Sequence, residues 1–157
     1  DETGIKVNLR NGRFYLKFDS RGEMEAPLVA EGMKKLGMLL HLVGNGSLGK
    51  NSILFWDEPE AHLNPRYIKV VIDFLRVLAN RGVQIFLATH DYLLSQRLSL
   101  IAETDQSAPG SLQFISLYQE GENVHAETAS TLAELTHNPI LDEFVAYAEE
   151  EEEMAYE

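Results

Sequence analysis

Two adjacent carboxylates, Asp57 and Glu58, close the apolar run Ile53-Leu54-Phe55-Trp56 and are followed by Pro59 and Glu60. A run of this kind, without alternation, is the pattern of a strand in a parallel sheet covered on both faces. Such a strand delivers its last residue to the sheet edge where ligand crevices form. Moving a phosphoryl group from a nucleotide to water needs one carboxylate to hold a magnesium shell and a second group to orient and deprotonate the water. Asp57 and Glu58 suit those two roles in that order. The competing reading is a strand that merely ends in acidic turn residues, since acids after strands are common.

A second string, Gly44-Asn45-Gly46-Ser47-Leu48-Gly49-Lys50, has the spacing G-x-x-x-x-G-K of a phosphate-cradling loop. That loop needs a strand before it, a helix after it, and Ser or Thr next in line for magnesium. Here a helical pattern precedes, a strand follows, and Asn51 occupies the hydroxyl position. The segment reads instead as an exposed connection with glycines as turn residues and a solvated Lys50.

The elements that must position these residues follow from periodicity. Apolar and polar residues alternate from Ile5 to Phe18 around Asn11-Gly12, a hairpin signal. Pro27 opens a helix over residues 27–43, with Val29, Met33, Leu36, Leu40 and Val43 on one face. Asn64 caps and Pro65 opens a second helix with the stripe Ile68, Val71, Ile72, Leu75 and Leu78. Val83 to Ala88 is a second buried strand, closed by Thr89-His90-Asp91 before a short helix carrying Leu93, Leu94 and Leu98. That rhythm is a βαβ unit and a parallel sheet. Ser107 to Gly110 is a turn, and Leu112–Tyr118 and Val124–Thr128 are strands joined by the turn at Glu120 to Asn123. Asn138-Pro139 starts a last helix with Leu141, Phe144, Val145 and Ala148 facing inward. The fold class is α/β: a parallel sheet with flanking helices plus a small antiparallel hairpin.

A chain of 157 residues with 45% hydrophobic content predicts one compact soluble domain. The formal charge is −12, of which Glu149 to Glu153 and Glu157 supply six, leaving −6 on the body. That sign disfavours non-specific binding to a phosphate backbone. The glutamate-rich tail, residues 149–157, reads as a solvated helix end. No cysteine is present and the five His residues lack ligand spacing, which excludes a disulfide framework and thiolate zinc. With no membrane-length apolar run and no signal peptide, the expected location is cytoplasmic, without a membrane partner. The first residue is Asp rather than Met, so a segment cut from a longer protein is expected.

The stretch Asp57-Glu-Pro-Glu-Ala-His-Leu-Asn-Pro65 resembles the Walker B and D-loop segment of the ABC-like ATPases, partial P-loop NTPase folds in this half. The nearest branch is the AAA-type ATP-binding proteins related to the recombination and structural-maintenance-of-chromosomes ATPases. The resemblance implies that Asp57 supports Mg²⁺ through water and that Glu58 is the catalytic base. It makes Ala61-His62-Leu63-Asn64 a D-loop touching another subunit, and His90 the switch histidine bonded to the γ-phosphate and the attacking water. Leu28 to Lys35 resembles the signature segment, with Ala30, Glu31 and Gly32 in place of the usual Ser-Glu-Gly or Ser-Gly-Gly core. There a helix N-terminus meets the γ-phosphate held by the opposite subunit. Ala30 lacks the hydroxyl that would make one such contact. The resemblance runs from about Arg13 to Phe144, and the P-loop half of the family has no counterpart in it.

The resulting expectation is half of an ATP site. The cofactors are ATP and Mg²⁺, and the partners are an N-terminal Walker A segment and a second copy in a head-to-head homodimer. Nucleic acid enters only in the full-length context, and the chain alone is expected not to turn over ATP. A non-catalytic module that binds protein or nucleic acid, through the helix face of Arg66, Lys69, Arg76 and Arg81, is the alternative. A defence or repair ATPase with a nuclease domain following is a third, by family analogy.

Overall fold

A computed structural model describes residues 5–10, 13–18, 22–25, 31–104 and 112–155. The elements in order are β1 (Ile5–Arg10), β2 (Arg13–Phe18), β3 (Gly22–Glu25), α1 (Glu31–Gly44), β4 (Ile53–Asp57), α2 (Ile68–Asn80), β5 (Gln84–Ala88), α3 (Tyr92–Thr104), β6 (Phe114–Glu120), β7 (Asn123–Ala129) and α4 (Pro139–Ala155). One compact domain was the expectation. The chain instead divides into two compact units, Asp1–Thr89 and His90–Glu157. In the second unit β6 finds its partner in β7, which follows after a two-residue turn, so that unit builds its own sheet.

In the first unit β4 and β5 pair in parallel, from Ile53 opposite Gln84 to Asp57 opposite Ala88. Parallel neighbours require a crossover, and α2 provides it. All five stripe residues of α2, namely Ile68, Val71, Ile72, Leu75 and Leu78, are buried. Val71 and Leu75 share a cluster with Leu36 of α1, against Leu54, Trp56, Ile85 and Leu87 of the strands. Leu78 joins Leu39, Leu48 and Val83 beside Leu54, Trp56 and Ile85. Two helices therefore cover one face of the strand pair, and each buried Leu contributes about 1.5–3 kcal/mol.

The other face corrects the expectation of strands covered on both sides. Ile53, Phe55 and Phe86 are 57%, 75% and 42% exposed. The rings of Phe55 and Phe86 stack on each other at 4.9 Å and 12°. An unbroken apolar run says that both faces are suited to burial, not that this chain buries both.

β1 and β2 form the expected antiparallel hairpin, with Arg10 opposite Arg13. The Asn11-Gly12 turn and the helix start at residues 27–30 lie outside the described residues, as does the turn at Ser107 to Gly110. A third strand, β3, extends the sheet beside β2 and was not anticipated. Leu16 carries this sheet onto α1, packing with Met24, Met33 and Leu40 at 2% exposure.

In the second unit Asp91 caps α3 through its side chain, accepting from the Leu94 N–H at 2.6 Å. Leu94, Ser95 and Ser99 are buried along α3, while Leu93 and Leu98 are half-buried. Asn138 caps α4, whose first residue is Pro139. The inward face assigned to α4 is corrected: Phe144 and Val145 are 51% and 48% exposed, Ala148 is exposed, and Leu141 is half-buried. No residue of α4 is buried, because no layer covers that stripe among the described residues, although Phe144 stacks on Tyr92 at 4.3 Å. Glu149 to Glu153 are exposed and helical.

Glu127 of β7 gathers the approach to α4. It accepts from the Thr136 N–H at 2.8 Å and the His137 N–H at 3.0 Å, and meets His137 Nδ1 at 3.1 Å. The backbone bonds from Thr136 and then His137 hold its carboxyl at about 2, well below the ordinary 4.5. The His137 ring also lies flat on Tyr118, 4.0 Å away.

Candidate functional site

The carboxyl ends of β4 and β5 come out side by side. Asp57, the last residue of β4, is exposed and sits opposite Ala88. Glu58 follows with a φ of 46°, a left-handed conformation that a residue with a side chain adopts at a cost. Three bonds to its backbone fix it there. The Glu58 N–H donates to the Ala88 carbonyl at 2.8 Å, and the Glu58 carbonyl accepts from the Ala61 N–H at 3.1 Å and from Lys35 Nζ of α1 at 3.3 Å. Pro59 behind it is fully buried. The conformation is thus over-determined by its surroundings, which is the condition under which such strain persists.

The loop then turns under Glu60. Its carbonyl accepts from the Leu63 N–H at 2.9 Å, and its Oε1 accepts from the Thr89 hydroxyl at 2.6 Å. The second oxygen, Oε2, is buried and meets no hydrogen-bond partner among the described residues. His62 is exposed with a φ of 64°, and Asn64 is exposed. Asn64 Oδ1 accepts from the Arg66 N–H at 3.0 Å, capping the 3-10 turn Pro65–Tyr67 that leads into α2.

The signature-like segment packs against this loop. Gly32 is buried, and a Cβ added there would lie 2.5 Å from Leu63 Cδ2 and 2.8 Å from the His62 carbonyl oxygen. Only glycine lets α1 approach so closely. Glu31 beside it is exposed and pairs with Lys34 at 3.1 Å. Ala30 lies outside the described residues. His90 is exposed and is the first residue of the second unit, directly after Thr89.

The loop from Gly44 to Lys50 connects α1 to β4, as its context predicted. Five successive N–H groups are already engaged. Asn45, Gly46 and Leu48 donate to the carbonyls of His41, Val43 and Leu42, Ser47 donates to Asn45 Oδ1, and Gly49 donates to Ser52 Oγ. None of the five is left to ring a phosphate.

The structure therefore brings together Asp57, Glu58, the His62–Asn64 loop and Gly32. Sequence reasoning missed Lys35, Glu60 and Thr89. Glu60 lay inside the acidic motif and Thr89 beside the chosen histidine, but a spacing of 29 residues carries no signal that two side chains meet.

Residues 2–95 match the family model described as “AAA domain, putative AbiEii toxin, Type IV TA system”. Among solved structures, the chain is similar to one from the structural biochemistry of ATP-driven dimerization and DNA stimulated activation of SMC ATPases. The TM-score is 0.58 at 14% identity, covering 80% of this chain and 74% of that one. It is also similar to a chain of the Smc head domain with an extended coiled coil bound to the C-terminal domain of ScpA, derived from Pyrococcus furiosus. There the TM-score is 0.57 at 15% identity, over 93% of this chain and 33% of that one. At these identities the likeness is one of fold. No curated protein matches the chain. The family model spans more than half of the chain, so the protein belongs to this AAA-domain family, and its fold is similar to that of SMC head domains.

Proposed function

We propose that the chain contributes one half of a composite site for magnesium-dependent ATP hydrolysis. The observation that supports this most is the acidic pair at the carboxyl end of a parallel strand, with Glu58 held in a left-handed turn by its N–H bond to the Ala88 carbonyl and by bonds from the Ala61 N–H and Lys35 to its own carbonyl. Among the described residues no group of three or more His, Cys, Asp or Glu is arranged to hold a metal ion. A protein-built metal cage is therefore not what the site offers, whereas one exposed carboxylate fits magnesium, which keeps most of its waters and takes its other ligands from phosphates. Asp57 would hold that shell. Bound magnesium supplies neutralisation of the phosphate charge.

In this reading Glu58 orients and deprotonates the attacking water, and His90 hydrogen-bonds the phosphoryl oxygens as charge develops. The residues map as a signature-like helix over 27–43, a Walker B strand over 53–58, a D-loop-like turn over 61–64, a switch histidine at 90 and an acidic tail over 149–157. The N–H groups of Ala30, Glu31 and Gly32 would meet nucleotide held by a second copy, and His62 and Asn64 would line the seam between copies. The similar SMC ATPases are reported to dimerise under ATP, which agrees with a head-to-head pair. Nucleic acid would enter only with the complete protein.

The phosphate-gripping half is proposed to come from a Walker A segment outside these residues. The exposed face of Ile53, Phe55 and Phe86 is where that half would seat, and covering each phenylalanine would contribute about 1.5–3 kcal/mol. In the full-length protein, ATP hydrolysis should require Mg²⁺, and Glu58→Gln should stop turnover while trapping a nucleotide-bound dimer visible by light scattering. An oligomeric state indifferent to ATP, with no hydrolysis, would favour a non-catalytic interaction module. Hydrolysis by the 157-residue chain alone, abolished by Glu58→Gln, would overturn the composite site.

A further inference from the structure

We propose that Glu60 is a positioning residue of this site, a side-chain rung that fixes the exits of β4 and β5 against each other. The inference rests on the hydrolytic reading above. Past the paired residues Asp57 and Ala88, the Glu58 N–H donates to the Ala88 carbonyl as a further backbone rung. One step beyond it, the Thr89 hydroxyl donates to Glu60 Oε1 at 2.6 Å. Continuing the ladder through the backbone would require Glu58 to stay extended. A rung made of side chains instead lets Glu58 take its φ of 46° while the two chains remain tied beyond it.

The other carboxyl oxygen argues that stability is not what this group serves. Glu60 Oε2 is buried and meets no protein hydrogen-bond partner among the described residues, so the Thr89 bond is made at a cost in desolvation of the carboxylate. A buried carboxylate oxygen of that kind calls for an explanation, and a demand on the position of the strand exits supplies one. Here the demand is geometric. Glu60 lies two residues after the candidate base, and Thr89 immediately precedes the candidate phosphate-sensing histidine.

The test is steady-state ATP hydrolysis by the full-length protein with Glu60→Ala, Thr89→Val, Thr89→Ser and the Glu60→Ala/Thr89→Val pair. Displacing a reacting group by about 1 Å costs on the order of 100-fold, so each rung-breaking variant should lower kcat roughly 10- to 100-fold with KM for ATP nearly unchanged. The double variant should fall no further than the worse single one, because both remove the same bond. Thr89→Ser keeps the hydroxyl and should stay close to the parent rate. A parent-like kcat in Thr89→Val, or two effects that multiply, would overturn the proposal.

Hydrogen exchange at the Glu58 amide separates this claim from the hydrolytic one. Exchange should quicken in Glu60→Ala and Thr89→Val and stay slow in Thr89→Ser, whether or not ATP is turned over. Unchanged exchange in all three sinks the rung. Absence of hydrolysis in the parent protein, with the exchange pattern intact, sinks the hydrolytic reading alone.

Discussion

Replacing Gly32 by alanine puts a methyl group 2.5 Å from Leu63 Cδ2, 2.7 Å from Leu63 Cγ and 2.8 Å from the His62 carbonyl oxygen. The leucine can swing, but the carbonyl belongs to a backbone that turns through a φ of 64° at His62 and cannot retreat without moving the loop. Two effects oppose each other. Alanine is the better helix former by about 0.8–1 kcal/mol in a helix interior, and less at the second residue of α1. Forcing an extra methyl into a packed contact costs about 1–3 kcal/mol. The clash should win by about 1–2 kcal/mol. With an m-value of about 1–3 kcal/mol per M, the urea midpoint should drop by roughly 0.3–2 M. Trp56, the single tryptophan, lies in the first unit's core, so its fluorescence reads the unit that matters. Gly37→Ala is the internal control. The atoms nearest its added Cβ, at 2.7, 3.4 and 3.7 Å, all belong to the one side chain of Leu16, which can yield more cheaply. Adding Leu63→Ala to Gly32→Ala should recover only part of the loss, since the carbonyl contact survives. A Gly32→Ala midpoint at or above the parent's, or a loss smaller than that of Gly37→Ala, would refute the close approach of α1 to the loop.

Leu78 is 1% exposed at the end of the α2 stripe, and Leu78→Ala should cost about 2–5 kcal/mol, read by the same fluorescence melt. Glu127 should show its lowered pKa directly. Its stabilisation is complete above the ordinary value of 4.5 and is lost as pH falls through about 2, so the Thr136 and His137 amide shifts should titrate near the lower value. In Glu127→Gln that acid transition should vanish, and a midpoint near 4.5 in the parent would contradict the bonds described.

Much of the first unit was legible in the sequence. The α2 stripe is set by spacing, and the same five residues that recur at helical intervals are the ones buried. The cap at Asn64 follows from its side chain and the proline after it. What periodicity could not reveal was coverage. Ile53 and Phe55 are as apolar as Leu54 and Trp56, yet the first pair faces outward and the second rests on α1 and α2. The stripe of α4 misled for the same reason: Phe144 and Val145 are spaced to be buried without a layer over them. β3 was missed because Gly-Glu-Met-Glu is four residues long and offers one apolar side chain. At the candidate site, the acidic pair was chosen by residue type alone, whereas the bond between Glu60 and Thr89 arises only when the crossover sets two strand ends side by side.

In the proposed site, the turn at Glu58 would also let neighbours in sequence attend to one ligand. Along a pleated strand consecutive side chains leave on opposite sides, so two acids in a row would be divided between the two surfaces of the sheet. Breaking the pleat after Asp57 releases the second acid from that alternation. Transplanting the dipeptide onto another strand would therefore fail unless the recipient backbone also reversed its hand at the second position, and the bonds that hold the reversal would have to travel with it.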